Sequence, residues 1–266
     1  MKIAIAQMPV TADKKMNVNI ACTYIREAAT GGAKLVILPE MFCCPYDNEA
    51  FPVYAESRGG FVYSAMQQEA KKNRITLIAG SMPEKDCGRL YNTSFVFDQN
   101  GNEIAHHRKA HLFDIDIAGG QYFKESDVLS PGGSSTVFRA CGHRFGLAIC
   151  FDIRFPELFR KMTLDGAEAV FVPAAFNMTT GPAHWELTFC ARALDNQIFC
   201  VGAAPARDEQ AGYVSYANSI VCSPWGDVTA RAAETPALLY AELDFDKVAQ
   251  IREQLPLLSA RRPELY

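Results

Sequence analysis

The sequence predicts an α/β protein in which two mixed β-sheets pack face to face and helices cover their outer surfaces. Strand-like apolar runs alternate with amphipathic helical segments in the first half of the 266-residue chain, and the second half repeats that order. Each half also contains an antiparallel hairpin, so parallel and antiparallel pairing are combined in each sheet. The sequence has no low-complexity linker and no block of like charge, which predicts one domain over residues 1–266.

In the first half, strands are predicted at 2–7, 34–38, 75–79, 93–97 and 103–107, and helices at 17–29 and 63–73. A polar turn at 98–101 joins the last two strands into a hairpin. Residues 110–135 are rich in Gly, Asp and Ser and predict a long loop. Loops of this length inside a compact domain are usually functional.

In the second half, strands are predicted at 144–149, 168–172, 197–202, 217–223, 228–231 and 238–242, and helices at 156–164, 183–196 and 245–252. Pro156 and Glu157 mark the beginning of the first of these helices. The tail, 255–266, is too irregular for a core element.

Composition excludes several classes of protein. A net charge of −4 gives no electrostatic footprint for nucleic acid or an anionic membrane. No apolar run reaches the ~18 residues of a transmembrane helix. Gln7 interrupts the first apolar run too early for a signal peptide, and this predicts a cytoplasmic location.

Cysteine, histidine and glycine usage predicts a protein without a metal site or a nucleotide cofactor. The nine cysteines are an odd number without a Cys-X-X-Cys pair, which indicates reduced thiols. The five histidines lack zinc-type spacing with any cysteine. The glycines form neither a phosphate loop nor a dinucleotide-binding pattern.

Three predicted strands end in residues that carry chemistry. Glu40 follows the strand 34–38, Lys109 follows the strand 103–107, and Cys150 follows the strand 144–149 at a turn into a helix. Since chemistry in open α/β sheets gathers at the carboxyl ends of the strands, these residues would present a base, a cation and a nucleophile to one crevice. Taken singly, each has an ordinary explanation: a solvated carboxylate, a surface lysine and a buried structural cysteine.

The segments Leu38–Glu40, His107–Lys109 and Ile149–Glu157, in this order, resemble the signature elements of the nitrilase, or carbon–nitrogen hydrolase, superfamily. The resemblance runs from Met1 to Tyr266. It implies a four-layer α-β-β-α sandwich. It also implies at least a homodimer, because the tail 255–266 crosses to a partner subunit in relatives.

The resemblance implies amide hydrolysis through a Glu-Lys-Cys triad, a reaction that requires no cofactor. Cys150 would attack the amide and form a thioester, with Glu40 as the base, and Lys109 and the backbone N–H of Phe151 would stabilise the oxyanion. Glu125, six residues before Pro131-Gly132, matches a second glutamate of the superfamily. Two alternatives remain open: Asp127 in place of Glu125, and an ordinary loop carboxylate. A Cys–His dyad with His111 is not needed to explain the chemistry.

Segments 109–116, 175–186, 192–196 and 205–208 resemble the Nit2-like ω-amidase branch. Such enzymes hydrolyse the terminal amides of α-ketoglutaramate and α-ketosuccinamate. The resemblance implies that Arg154 binds the distal carboxylate with hydroxyl donation from Thr180 and Tyr46, and that Phe176 lines the apolar span.

Several alternatives accompany this prediction. Arg154 could instead form an ion pair with Asp152, Glu157 or another carboxylate beside the crevice. The segment His184–Glu186 is expected to act only in helix capping and packing. The closest rival functions are amidases for deaminated glutathione, an N-carbamoyl amine or an aliphatic amide. A nitrilase is less favoured, because a nitrile has no distal carboxylate for Arg154. A catalytically silent binding protein is disfavoured by the intact triad.

Overall fold

Two six-stranded mixed sheets form the centre of the protein in the computed structural model, which describes residues 1–118 and 122–265. The strands are β1 (Lys2–Gln7), β2 (Leu35–Ile37), β3 (Thr76–Asp86), β4 (Arg89–Phe97), β5 (Glu103–Arg108), β6 (Asp114–Asp116), β7 (Tyr122–Lys124), β8 (Thr136–Ala140), β9 (His143–Leu147), β10 (Ala169–Pro173), β11 (Phe199–Ala203), β12 (Ile220–Cys222), β13 (Val228–Arg231) and β14 (Ala237–Glu242). The α-helices are α1 (Lys14–Thr30), α2 (Ala50–Tyr54), α3 (Phe61–Asn73), α4 (Pro156–Leu164), α5 (Gly181–Asn196) and α6 (Asp246–Gln254). Short 3-10 helices cover Glu125–Asp127, Cys150–Arg154 and Pro263–Leu265.

Each sheet combines parallel and antiparallel pairs, as the sequence predicts. The first sheet has the order β14-β1-β2-β3-β4-β5, with β1, β2 and β3 parallel and the other pairs antiparallel. The second has the order β13-β12-β11-β10-β9-β8, with β9, β10 and β11 parallel. The four-layer α-β-β-α architecture is therefore confirmed.

Alternating residues along each central strand explain the layers. Ile3 and Ile5 of β1 pack with Phe171 of β10 in the core between the two sheets. Ala4, between Ile3 and Ile5, faces the opposite way and packs in the core beneath helices α1 and α3. Val170, next to Phe171, packs in the core beneath helices α4 and α5. Because strands covered on both faces are apolar throughout, these runs appear continuous in the sequence.

The structure differs from the prediction mainly at turns and short elements. Helix α1 begins three residues earlier than expected, because the Asp13 side chain accepts from the Met16 N–H at 3.0 Å and caps it. The β3–β4 hairpin, turning at Cys87 and Gly88, and strand β8 were not predicted. The prediction of an uninterrupted loop over 110–135 was wrong: it contains a small β6–β7 hairpin and a 3-10 helix. Residues 119–121 of this loop lie outside the described residues.

After α6 the chain runs mostly over the surface. Leu255, Leu257 and Leu265 are 38%, 37% and 64% exposed. Tyr266 lies outside the described residues. Over residues 1–118 and 122–265, no helix is both long enough and apolar enough to cross a membrane.

Candidate active site

Glu40 and Lys109 meet beyond the carboxyl ends of β2 and β5 in the first sheet. Lys109 Nζ donates to Glu40 Oε1 at 2.8 Å, and both side chains are fully buried. Cys150 reaches the same place from the second sheet, after β9, and interacts electrostatically with both residues. The structure thus brings the three predicted residues together, although they come from two sheets and not from one.

Glu125 joins this cluster from the 3-10 helix Glu125–Asp127. Its Oε1 accepts from Lys109 Nζ at 2.8 Å and from the Tyr46 hydroxyl at 2.5 Å. Its Oε2 accepts from the backbone N–H of Phe113 at 2.7 Å. Asp127, the alternative, is exposed, so Glu125 is the carboxylate that the fold delivers to Lys109.

Asn92 was missed from the sequence. Its Nδ2 donates to Glu40 Oε1 at 2.9 Å, and its backbone oxygen accepts from the Lys109 N–H at 2.9 Å. The available signal was the fully buried polar triplet Asn92-Thr-Ser94, which directly precedes the apolar end of β4, Phe95–Phe97. With Oε1 held by Asn92 and Lys109, Glu40 Oε2 is buried without a nitrogen or oxygen donor among the described residues.

Burial and charge set the protonation states of the cluster. Burial raises the pKa of Glu40, although Lys109 partly offsets it. Burial disfavours the charge on Lys109, but Glu125 and Glu40 outweigh it and raise the Lys109 pKa. Burial and the charge of Glu40 raise the pKa of the Cys150 thiol well above its ordinary value. Lys109 therefore stays an ammonium, and the resting thiol needs a base to become a nucleophile.

Cys150 lies in a strained turn that Asp152 holds in place. The φ of Cys150 is +44°, which a side-chain-bearing residue rarely adopts. Asp152 Oδ2 accepts from the Ile149 N–H at 3.0 Å and contacts His107 Nε2 at 2.9 Å. Its Oδ1 accepts from the His111 N–H at 2.9 Å and contacts His111 Nδ1 at 2.7 Å. Burial opposes the Asp152 charge, yet the bonds from His107 and His111 hold its pKa well below the usual range.

These contacts decide two of the alternatives. His111 bonds to Asp152 and stacks on Phe155 at 3.6 Å between ring centroids, so it belongs to the support of the turn and not to a Cys–His dyad. Asp152 is engaged by the histidines, and no carboxylate among the described residues forms an ion pair with Arg154.

Two backbone N–H groups lie close to the nucleophile. Phe151 is in the first turn of the 3-10 helix, where N–H groups have no partner within the helix itself. The N–H of Ala175, just beyond β10, donates to the Cys150 sulfur. Ala175 was not singled out from the sequence, because its contribution is made by the backbone.

Arg154, Phe176 and Thr180 line a small cavity that Cys150 also lines. The Arg154 guanidinium lies over the rings of Phe151 and Phe176, 5.5 Å and 5.0 Å from their centroids. Thr180 Oγ1 donates to Asn177 Oδ1 at 3.1 Å. The residue His184, expected only to cap and pack, has its Nδ1 3.1 Å from Arg154 Nη1.

Tyr46 lies apart from this group, on the Glu40 side. It lines a second cavity of about 310 Å³ together with Glu40, and its ring stacks on Tyr213 at 4.5 Å. Tyr213 and Ala175 line both cavities, and the Tyr213 hydroxyl donates to the Ala175 carbonyl at 2.5 Å. Tyr213, which sequence reasoning missed, therefore forms part of the wall between the two cavities.

Comparisons with known proteins agree with this geometry. The Carbon-nitrogen hydrolase family matches residues 2–253. The chain is 49% identical over 265 residues to omega-amidase NIT2-A of Xenopus laevis, and 46% identical over 265 residues to omega-amidase NIT2 of Homo sapiens. Each of these two alignments covers 100% of this chain and 96% of the relative. It superimposes on Saccharomyces cerevisiae Nit3, a member of branch 10 of the nitrilase superfamily, with a TM-score of 0.91 at 38% identity, over 98% of this chain and 96% of that one. The C. elegans NitFhit protein gives a TM-score of 0.91 at 32% identity, over 100% of this chain and 66% of that one. From its sequence, its fold and these matches, the chain belongs to the carbon–nitrogen hydrolase family.

Proposed function

We propose that this protein is an ω-amidase that hydrolyses the terminal amide of a small α-keto acid amide, such as α-ketoglutaramate or α-ketosuccinamate. The observation that carries the proposal is Arg154, a half-buried cation that forms no ion pair with the described carboxylates and lines the same cavity as Cys150. A cation in such a place favours a substrate with an anionic group at the end remote from its amide. The full-length identity with ω-amidases supports the same substrate class.

Acylation begins with proton transfer from the Cys150 thiol to Glu40, whose Oε2 is not engaged by a nitrogen or oxygen donor among the described residues. The sulfur attacks the amide carbon, and the carbonyl electron pair moves onto oxygen. The Lys109 ammonium and the Phe151 N–H stabilise this oxyanion. Glu40 then protonates the leaving nitrogen, the C–N bond breaks, and ammonia leaves a thioester on Cys150.

Deacylation uses the same groups in reverse. Glu40 takes a proton from water, the hydroxide attacks the thioester carbon, and the C–S bond breaks. The carboxylic acid is released, and the thiolate recovers its proton from Glu40. The thiol proton leaves with the ammonia and a proton from water replaces it, so the enzyme is restored and the cycle consumes only amide and water.

Glu125 has a positional role in this scheme. By sharing Lys109 Nζ with Glu40, both at 2.8 Å, it keeps the ammonium charged and between the two carboxylates. Tyr46 donates to the same Glu125 oxygen and approaches the substrate from the Glu40 side. Arg154 binds the distal carboxylate, and the Thr180 hydroxyl turns from Asn177 to donate to it. Phe176 lines the span between the two ends.

A panel of amides tests the proposal. Ammonia release should be fastest with α-ketoglutaramate, slow with glutamine, and slow with aliphatic amides of similar length. Glutamine carries an α-ammonium, which would lose hydration beside Arg154 and meet a like charge. Faster turnover of deaminated glutathione or an N-carbamoyl amine would reassign the chain to one of those amidases, and turnover of a nitrile would favour a nitrilase.

The proposal extends to assembly and location. We expect a homodimer in which the tail after Gln254 contacts the partner subunit, because three leucines of this tail are at least 37% exposed. Light scattering of the full chain and of a chain ending at Gln254 tests this. A truncated chain that is still dimeric would contradict it.

A cytoplasmic location is supported by the cysteines, because their number, nine, is odd and indicates reduced thiols.

A further inference from the structure

We propose that His184 is a specificity-determining residue that orients Arg154 for the distal carboxylate of the substrate. This inference rests on the proposed ω-amidase function. His184 lies in the first turn of α5, and its Nδ1 is 3.1 Å from Nη1 of Arg154. A guanidinium has only donors, so Nδ1 is the acceptor and the ring proton resides on Nε2.

Helix α5 holds Arg154 at both ends. Arg192 Nε donates to the Ile153 carbonyl at 2.8 Å, and its Nη2 donates to the Arg154 carbonyl at 3.3 Å. His184, two turns earlier on the same helix, holds the guanidinium. The helix therefore determines both the backbone position and the side-chain direction of Arg154.

The rings around Arg154 remove most of the remaining freedom. Its guanidinium carbon lies 5.5 Å from the centroid of Phe151 and 5.0 Å from that of Phe176. Aromatic faces attract the cation without saturating its N–H donors. The guanidinium could still rotate between these two rings, and its hydrogen bond to His184 opposes this rotation.

His184 affects substrate binding through the particular guanidinium nitrogen of Arg154 that it binds. With Nη1 bonded to His184, the edge left for a ligand is the one formed by Nε and Nη2. Nε is buried and has no hydrogen-bond partner among the described residues. A carboxylate bound side-on to this edge would satisfy Nε and form two parallel charge-assisted bonds. An uncharged amide gains nothing from this orientation.

Kinetics of His184→Ala and His184→Asn with two substrates test the inference. α-Ketoglutaramate carries the distal carboxylate, and pentanamide is an uncharged amide of the same chain length. His184→Ala should raise KM for α-ketoglutaramate roughly 10- to 100-fold, as expected for the loss of one hydrogen bond to a charged group, with kcat changed less than about threefold. Pentanamide kinetics should stay within about twofold. Asn retains an oxygen acceptor near Nδ1 and should recover most of the affinity.

Two controls separate orientation from general support of the helix. Glu186→Ala alters the same region of the helix at an exposed residue that pairs with Arg231, and it should leave the kinetics with both substrates unchanged. In an Arg154→Ala background, adding His184→Ala should cause little further loss, because the two residues act through one contact.

Three outcomes would overturn the inference. Equal losses on both substrates in both His184 variants would assign His184 to support of the turn at Cys150. An unchanged KM for α-ketoglutaramate in His184→Ala would show that Arg154 needs no orienting partner. A wild-type enzyme that prefers pentanamide would instead overturn the proposed ω-amidase function, and this inference with it.

Discussion

The Lys109 ammonium and the Glu125 carboxylate lie 2.8 Å apart with both side chains fully buried. Since Lys109 makes an equally short contact with Glu40, one buried cation is shared by two buried carboxylates. Such a cluster costs considerable desolvation free energy, and removing one member leaves an uncompensated buried charge. Its retention in the core is explained by chemistry, because it keeps a base and a cation beside Cys150.

Cys150→Ala should abolish amidase activity and preserve the fold. Alanine removes the sulfur that forms the thioester, so we expect kcat for α-ketoglutaramate to fall at least about a thousandfold. Ammonia release and circular dichroism provide the measurements. Near-normal turnover by this variant would contradict the whole mechanism.

Glu40→Gln should lower kcat by roughly 10²- to 10⁴-fold and change KM little, because Glu40 acts in the proton transfers of the transition states. Deacylation also needs Glu40, so intact-mass spectrometry should detect a thioester adduct on Cys150 during slow turnover. An effect confined to KM would reassign Glu40 to substrate binding.

Lys109→Met should lower both stability and kcat. It leaves Glu40 and Glu125 buried without their shared cation, and we expect a loss of about 3–5 kcal/mol in the free energy of unfolding. Denaturant titration measures this. The control is Lys161→Met, which breaks an exposed pair with Asp165 and should cost less than about 1 kcal/mol. Similar losses in both variants would argue against a charged Lys109.

Arg154→Ala should decrease kcat/KM for α-ketoglutaramate by tens- to thousands-fold, which corresponds to the ~2–5 kcal/mol of a broken buried charge pair. An uncharged amide should be affected much less. Arg139→Ala, at an exposed position on β8, serves as the control. If both substrates lose activity equally, Arg154 supports the turn around Cys150 and does not bind the carboxylate.

The pH dependence of kcat should reveal the raised pKa of Glu40. Only the ionised carboxylate accepts the Cys150 proton, so kcat falls as the pH decreases through the pKa of Glu40. Because burial raises this pKa, the acidic limb should lie above the ~4.3 of an ordinary glutamate. A pH–rate profile with its limb at or below that value would contradict the assignment of Glu40 as the base.

The sequence was informative wherever the decisive property is local. Apolar runs identified most central strands, and the residues that follow them identified Glu40, Lys109 and Cys150 as chemistry-bearing candidates. The order of these three elements then led to the family. The strands β6 and β7 were missed, because they contain three residues each, too few to show a period.

Contacts between distant residues were decided only by the tertiary structure. Asn92 reaches Glu40 across 52 residues of sequence, and His184 reaches Arg154 across 30. In both cases the hydrogen bond depends on how two elements pack, which neither local segment encodes. The same reason explains Asp152, which bonds to two histidines of the β5 end and not to its near neighbour Arg154. The sequence by itself therefore determined the layers and the reacting groups. The packing of the two sheets decided which charged groups lie next to each other. It also decided that Glu40 Oε2 is left without a nitrogen or oxygen donor among the described residues, and that His184 binds Nη1 of Arg154 and leaves the edge of Nε and Nη2 to a ligand.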